Sequence, residues 1–131
     1  MLSARAALLA TALPLVVACS DGTGPGSERL LFVSRLDAPA TFIPRDSVRI
    51  SLAVGTGACV GFARLDSRQR GDTVVVRAIG LDRSGPGVSC TDLAVATPTP
   101  FAVASGDRAQ VVFRVERRDS LPLSAVVRAA R

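Results

Sequence analysis

Three cysteines (Cys19, Cys59 and Cys90), a set of serines and 11 carboxylates make up the reactive inventory of this chain, and the groups that normally activate them are missing. A thiol nucleophile needs a neighbouring base to hold it as thiolate, usually an imidazole. The sequence contains no histidine, lysine or tyrosine. A zinc site draws four ligands, more than dispersed cysteines supply without histidine. Ser67, Ser84, Ser89 and Ser105 have no histidine partner, and no Gly-x-Ser-x-Gly elbow occurs. Asp66 and Asp72, and Asp82 and Asp92, flank turn-like stretches, where carboxylates ordinarily cap backbone amides. Their spacing does not match a calcium loop. Two-carboxylate glycoside hydrolysis would want an aromatic-lined cleft, and the 5 phenylalanines are needed for a core. Gly55-x-Gly57 and Gly85-x-Gly87 read as turn glycines, because neither extends to a phosphate-binding fingerprint. The expectation is a protein without catalytic residues, metal or cofactor, and not an enzyme.

If the cysteines do no catalysis, their placement must be explained by position. Met1–Ala18 has the three parts of an export signal: Arg5 and the free amine, the uncharged apolar run Ala6–Ala18, and a small residue at the end. The run is shorter than the roughly 20 apolar residues a transmembrane helix needs, and Pro14 interrupts it. The segment Leu15-Val16-Val17-Ala18-Cys19-Ser20 resembles the lipobox of bacterial lipoproteins. That resemblance implies cleavage before Cys19 and attachment of a diacylglycerol and an N-acyl chain such as palmitate to it. Two or more chains anchor stably where one does not. Ser20 after the cysteine implies outer-membrane sorting in a diderm host. Val16-x-Ala18 also suits ordinary signal peptidase, which would leave the protein exported and free.

Setting Cys19 aside for lipid leaves Cys59 and Cys90, and an oxidising compartment favours their pairing as a disulfide. Residues 19–28 are rich in Gly and Ser and carry no large apolar side chain, as a flexible spacer does. The expected division is therefore a signal peptide at 1–18, lipidated Cys19 and linker at 19–28, and one domain at 29–131.

All 16 basic residues are arginine, and the formal charge is +5. The arginines are scattered singly between apolar residues and lack interleaved aromatics, so no stacking platform for nucleic acid is expected. They read as a solvated face.

The elements that must position these groups are strands. Val48, Ile50, Leu52 and Val54 alternate with polar or small residues, the period of a half-buried strand. Val111, Phe113 and Val115 repeat the pattern, as do Leu121, Leu123, Ala125 and Val127. Thr73–Ile79 is the most continuously apolar run and is expected as a central strand. Leu30–Leu36 and Cys59–Leu65 read as two more. Leu93–Ala96 and Phe101–Ala104, separated by Pro98 and Pro100, suit an edge strand or a crossover. Gly-, Asp- or Pro-marked turns fall between the runs. Six to eight short strands predict an all-β antiparallel sandwich or barrel, and the expected form is a small antiparallel β-sandwich with one disulfide tying loops at one end.

The whole resembles the small immunoglobulin-like domains of bacterial envelope lipoproteins, without the tryptophan or corner tyrosine of true immunoglobulin domains. The lipobox resemblance, the spacer and the empty catalytic inventory together lead to the expectation of a noncatalytic, membrane-anchored protein that binds another envelope protein or serves as an accessory subunit. Two alternatives stay open. One is a polysaccharide- or ligand-binding module using the loops around Cys59 and Ser84–Cys90. The other is an inhibitor of foreign hydrolases.

Overall fold

Alternating β-branched and polar residues leave this chain few ways to bury its apolar side chains except as stacked sheets. A computed structural model describes residues 26–131. Nine strands lie among the described residues: β1 (Ser27–Leu30), β2 (Val33–Asp37), β3 (Thr41–Phe42), β4 (Ser47–Gly57), β5 (Val60–Arg70), β6 (Thr73–Asp82), β7 (Ala94–Ala104), β8 (Gln110–Arg117) and β9 (Ser120–Ala129). They form a three-stranded sheet, β2-β4-β7, and a six-stranded sheet in which β5, β6, β8, β9 and β3 follow one another. The short β1 lies on the same side of β6 as β8, against Ile79–Asp82, while β8 takes Thr73–Arg77.

The two sheets enclose one core. Val48, Ile50, Leu52 and Val54 contribute from β4, Val74, Val76 and Ala78 from β6, and Val111, Phe113 and Val115 from β8. Phe113 is the largest fully buried side chain. The alternation expected in β4 and β8 is thus the alternation between core and solvent. In β9 only Val127 is buried, and Leu121 is 82% exposed beyond the sandwich.

The all-β sandwich agrees with the expectation, and three features add to it. The expected Leu30–Leu36 strand is two strands in different sheets. Leu31 N donates to Ala78 O at 2.8 Å in the large sheet, and Gly55 N donates to Phe32 O at 2.8 Å in the small one. The chain therefore switches sheets between two adjacent residues. β1 also takes in Ser27 and Glu28, which the composition assigned to the spacer. Finally, β6 runs parallel to β8 and β3 parallel to β9, so the sandwich is not antiparallel throughout. The excursion of β7 into the other sheet supplies the crossover that a parallel β6·β8 pair requires.

Cys59 immediately precedes β5, and Cys90 lies in the loop before β7. Their Cα atoms are 5.6 Å apart, at disulfide distance. Both sit on connections that cross from one sheet to the other, β4 to β5 and β6 to β7. Arg83 N donates to Cys59 O at 2.8 Å and extends the β5·β6 ladder to the bridge.

Candidate functional site

The outward face of the large sheet is built by register. Hairpin β5·β6 closes on Arg70↔Thr73 through the two-residue turn Gly71-Asp72. Gly71 has φ 57°, the left-handed first position that a type II′ turn demands. From that closure Arg68 falls beside Val75 and Asp66 beside Arg77. The parallel β8 then places Arg114 beside Val75 and Glu116 beside Arg77. One row across the sheet reads Arg68, Val75, Arg114, and the next reads Asp66, Arg77, Glu116. With Arg70 and Thr73 these side chains line an open groove of about 590 Å³, which the backbone of Ser67 also borders.

Its two carboxylates are already engaged. Arg77 Nε lies 3.1 Å from Glu116 Oε2. Arg64 Nε donates to Asp66 Oδ1 at 2.9 Å, and its two terminal nitrogens reach Glu28 at 2.6 and 3.0 Å. The hydrogen bond from Arg64, with its charge, lowers the pKa of Glu28; the two carboxylates raise that of Arg64. Arg68, Arg70 and Arg114 have no ion-pair partner among the described residues. The groove is therefore cationic, with its free charge concentrated toward the hairpin turn.

Beside the groove lies an open sheet edge. Among the described residues β5 pairs only with β6, and it is mostly exposed, with Val60 and Leu65 partly buried against the core. The remaining edges among the described residues are short or interrupted: β1 has four residues, and β3 covers only Arg128–Ala129 of β9, whose open stretch Ser120–Val127 carries Pro122. β3 is two residues long, and β2 is five residues with a register shift between Val33 and Arg35. β7 is continuous across the expected break and carries Pro98 and Pro100 opposite Ala53 and Ser51. Both prolines share one parity, so both missing N–H groups are ones that would point off the sheet.

The residues singled out by sequence fall as follows. Cys59 and Cys90 are brought together, and Cys19 lies outside the described residues. Asp82 ends β6 by accepting from the backbone N of Ser84 at 2.9 Å and from the Ser84 hydroxyl, and it pairs with Arg29. The Ser84 hydrogen bonds, then Arg29, hold its carboxyl below the usual range. This is the turn-capping role expected beside the Gly-rich loop. Asp66 is drawn to Arg64 instead of to Asp72. The loop 83–93 is exposed, with Val88 50% and Leu93 58% accessible. Among the described residues no group of three or more Cys, Asp or Glu could hold a metal ion.

The arginine face was not visible as a cluster in the sequence. Single arginines alternating with apolar residues are what a strand needs to present charge on one side. Only the registers of three strands show that the charges meet. No protein-family model, curated protein or solved structure matches this chain.

Proposed function

We propose that this is a noncatalytic, lipid-anchored envelope protein whose sandwich docks another envelope protein as an accessory domain. The observation that carries this reading is the pairing of Cys59 with Cys90. It accounts for two of the three cysteines and leaves Cys19 single, at the position where the lipobox resemblance puts the acylated residue. The described fold begins at Ser27, a short spacer after that cysteine. A noncatalytic role is supported by the chemistry of the carboxylates. Asp66, Asp82 and Glu116 are bound to arginines or turn amides, and the chain offers no imidazole, amine or phenol beside them. Docking is supported by the groove and the bare β5 edge, which are open surfaces and not an enclosed pocket.

The anchor is tested by intact-mass spectrometry of the wild type and Cys19→Ala expressed in a bacterial host that acylates lipoproteins. The wild type is expected to carry the mass of a diacylglycerol and an amide-linked acyl chain, and the variant neither. A wild-type mass without acyl chains overturns the reading.

A further inference from the structure

We infer that β5 is a docking edge for an extended acidic segment of a partner protein, which joins the large sheet as a further strand. The inference rests on the accessory-domain reading above and names the partner's chemistry. Two independent observations meet there. The first is the contrast among edges: β1, β2 and β3 are five residues or shorter, and the open stretches of β7 and β9 carry proline, as natural sheets do when pairing must be prevented. β5 has 11 residues, no proline and, among the described residues, no strand on its outer side. The second is the free charge on that same strand, since Arg68 and Arg70 lack ion-pair partners among the described residues.

The ladder fixes what an added strand meets. Arg70↔Thr73 closes the two-residue hairpin and is a hydrogen-bonded pair, as are Arg68↔Val75 and Asp66↔Arg77 by alternation. The N–H and C=O groups of Leu65, Ser67 and Gln69 therefore point away from β6, toward the vacant side. Those of Arg64, Asp66, Arg68 and Arg70 point inward, but their side chains stand on the grooved face. An added strand hydrogen-bonds to the first set and sets its alternate side chains beside Arg68 and Arg70. Opposite charges at facing positions of neighbouring strands attract, and like charges repel. The occupant is thus read in period two: Asp or Glu on the groove side, and an apolar residue on the other face beside Leu65, which is partly buried against the core. Main-chain bonds hold the segment and the alternate side chains select it. The register shift between Phe62 and Arg64 limits the regular ladder to Arg64–Arg70.

The probe is a blocked peptide of about seven residues alternating Glu with Val, matched to that length of edge. It is titrated into the full chain in detergent and followed by amide hydrogen exchange. Exchange at Leu65, Ser67 and Gln69 is expected to slow at least tenfold, with little change at Asp66 and Arg68, whose amides already bond to β6. The same peptide N-methylated at every second amide on its bonding side, or carrying Lys for Glu, is expected to bind at least tenfold more weakly. Arg68→Glu/Arg70→Glu should invert the preference toward the Lys peptide. Ser67→Pro should abolish binding, and because the methylated peptide leaves the protein untouched, the test survives if that variant does not fold. Binding that ignores N-methylation, or equal protection by inorganic polyphosphate, overturns the edge assignment in favour of simple anion attraction.

Photo-crosslinkers placed in cells at Ser67, Thr99 and Val88 separate the two levels. Capture of a partner only at Thr99 or Val88 overturns the β5 assignment and leaves the accessory reading standing. Capture at no position overturns both.

Discussion

Replacing both bridged cysteines, Cys59→Ser/Cys90→Ser, tests how much of this domain's stability lies in one covalent link. The bridge closes a loop of about 32 residues, and the chain-entropy relation gives roughly 12 cal/mol/K, or about 3.7 kcal/mol at 25 °C. Cys59 and Cys90 lie on the two crossings between sheets; the backbone bond from Arg83 holds Cys59 at the end of the β5·β6 ladder, and Cys90 sits in the exposed loop 83–93. In the chain-entropy account the cost falls on the unfolded chain, which gains freedom. The same figure is a large share of the roughly 5–15 kcal/mol by which a domain is ordinarily stable. Urea unfolding of wild type and variant, followed by far-UV circular dichroism, should show a midpoint drop with a somewhat steeper slope, because the unbridged unfolded chain is less compact. The melting temperature should fall by about 15–30 °C, from the usual 4–8 °C per kcal/mol in small domains. Reductant should bring the wild type to the variant's curve and leave the variant unchanged. A double variant within about 1 kcal/mol of a wild type shown to lack free thiols at 59 and 90 would refute the reasoning, since the expected chain-entropy cost of about 3–4 kcal/mol would be missing.

Three further outcomes follow from local geometry. Gly80→Ala would put a Cβ 2.5 Å from Leu31 Cδ2 and 2.6 Å from the backbone oxygen of Gly61, so β5 and β6 must part; we expect a loss of about 2–3 kcal/mol by urea unfolding. Arg45 holds φ 68° at the third position of the Ile43–Asp46 turn, behind Pro44, where glycine or asparagine is favoured. Its ion pair with Asp107 is almost fully exposed and is worth little, so Arg45→Asn is expected to gain about 0.5 kcal/mol in urea. Asp82 is held below its ordinary pKa in the fold by Ser84 and Arg29, so its contribution is present above the unfolded carboxylate value of about 4 and is lost as pH falls through the lower folded value. The gap in urea midpoint between wild type and Asp82→Asn should therefore be fully open at pH 6 and narrow progressively below pH 4, whereas a gap unchanged at pH 2 would count against that linkage.

The parts legible from sequence were those governed by period two within one strand. Val48 to Val54, Val111 to Val115 and the central run from Thr73 announce their buried faces because the alternation of side chains needs no knowledge of neighbours. Pro98 and Pro100 likewise marked β7 as an edge, since the missing N–H is a local property. What depended on neighbours was hidden. β1 and β3 are too short to show a period, and the change of sheet between Leu31 and Phe32 is dictated by hydrogen bonds to Ala78 and Gly55. The meeting of Arg68 with Arg114 across Val75 follows from the parallel β6·β8 register, which no local pattern encodes. In β5 the expected strand stops at Leu65 and the arginines read singly as solvated, so neither the extension to Arg70 nor the exposure of Ser67 and Gln69 on the opposite face is visible without the neighbouring strands.

The pairing of β3 with β9 has a consequence for the order of events in the cell. A ribosome delivers Thr41–Phe42 well before Ser120–Ala129, yet these are neighbours in the finished sheet, and β8, the partner of both β6 and β9, also follows late in this domain. Hairpin β5·β6 can form early on local turn chemistry, but Val127 and Phe113 reach the core only after the other strands have been made. Contacts this distant along the sequence form slowly. The nascent domain is thus expected to stay unfolded until β8 and β9 have emerged, which is the condition a chain needs if it is to be threaded through a narrow channel. Pulse proteolysis of chains ending at Arg117 should find no resistant core, and a resistant one would show that the late strands are dispensable.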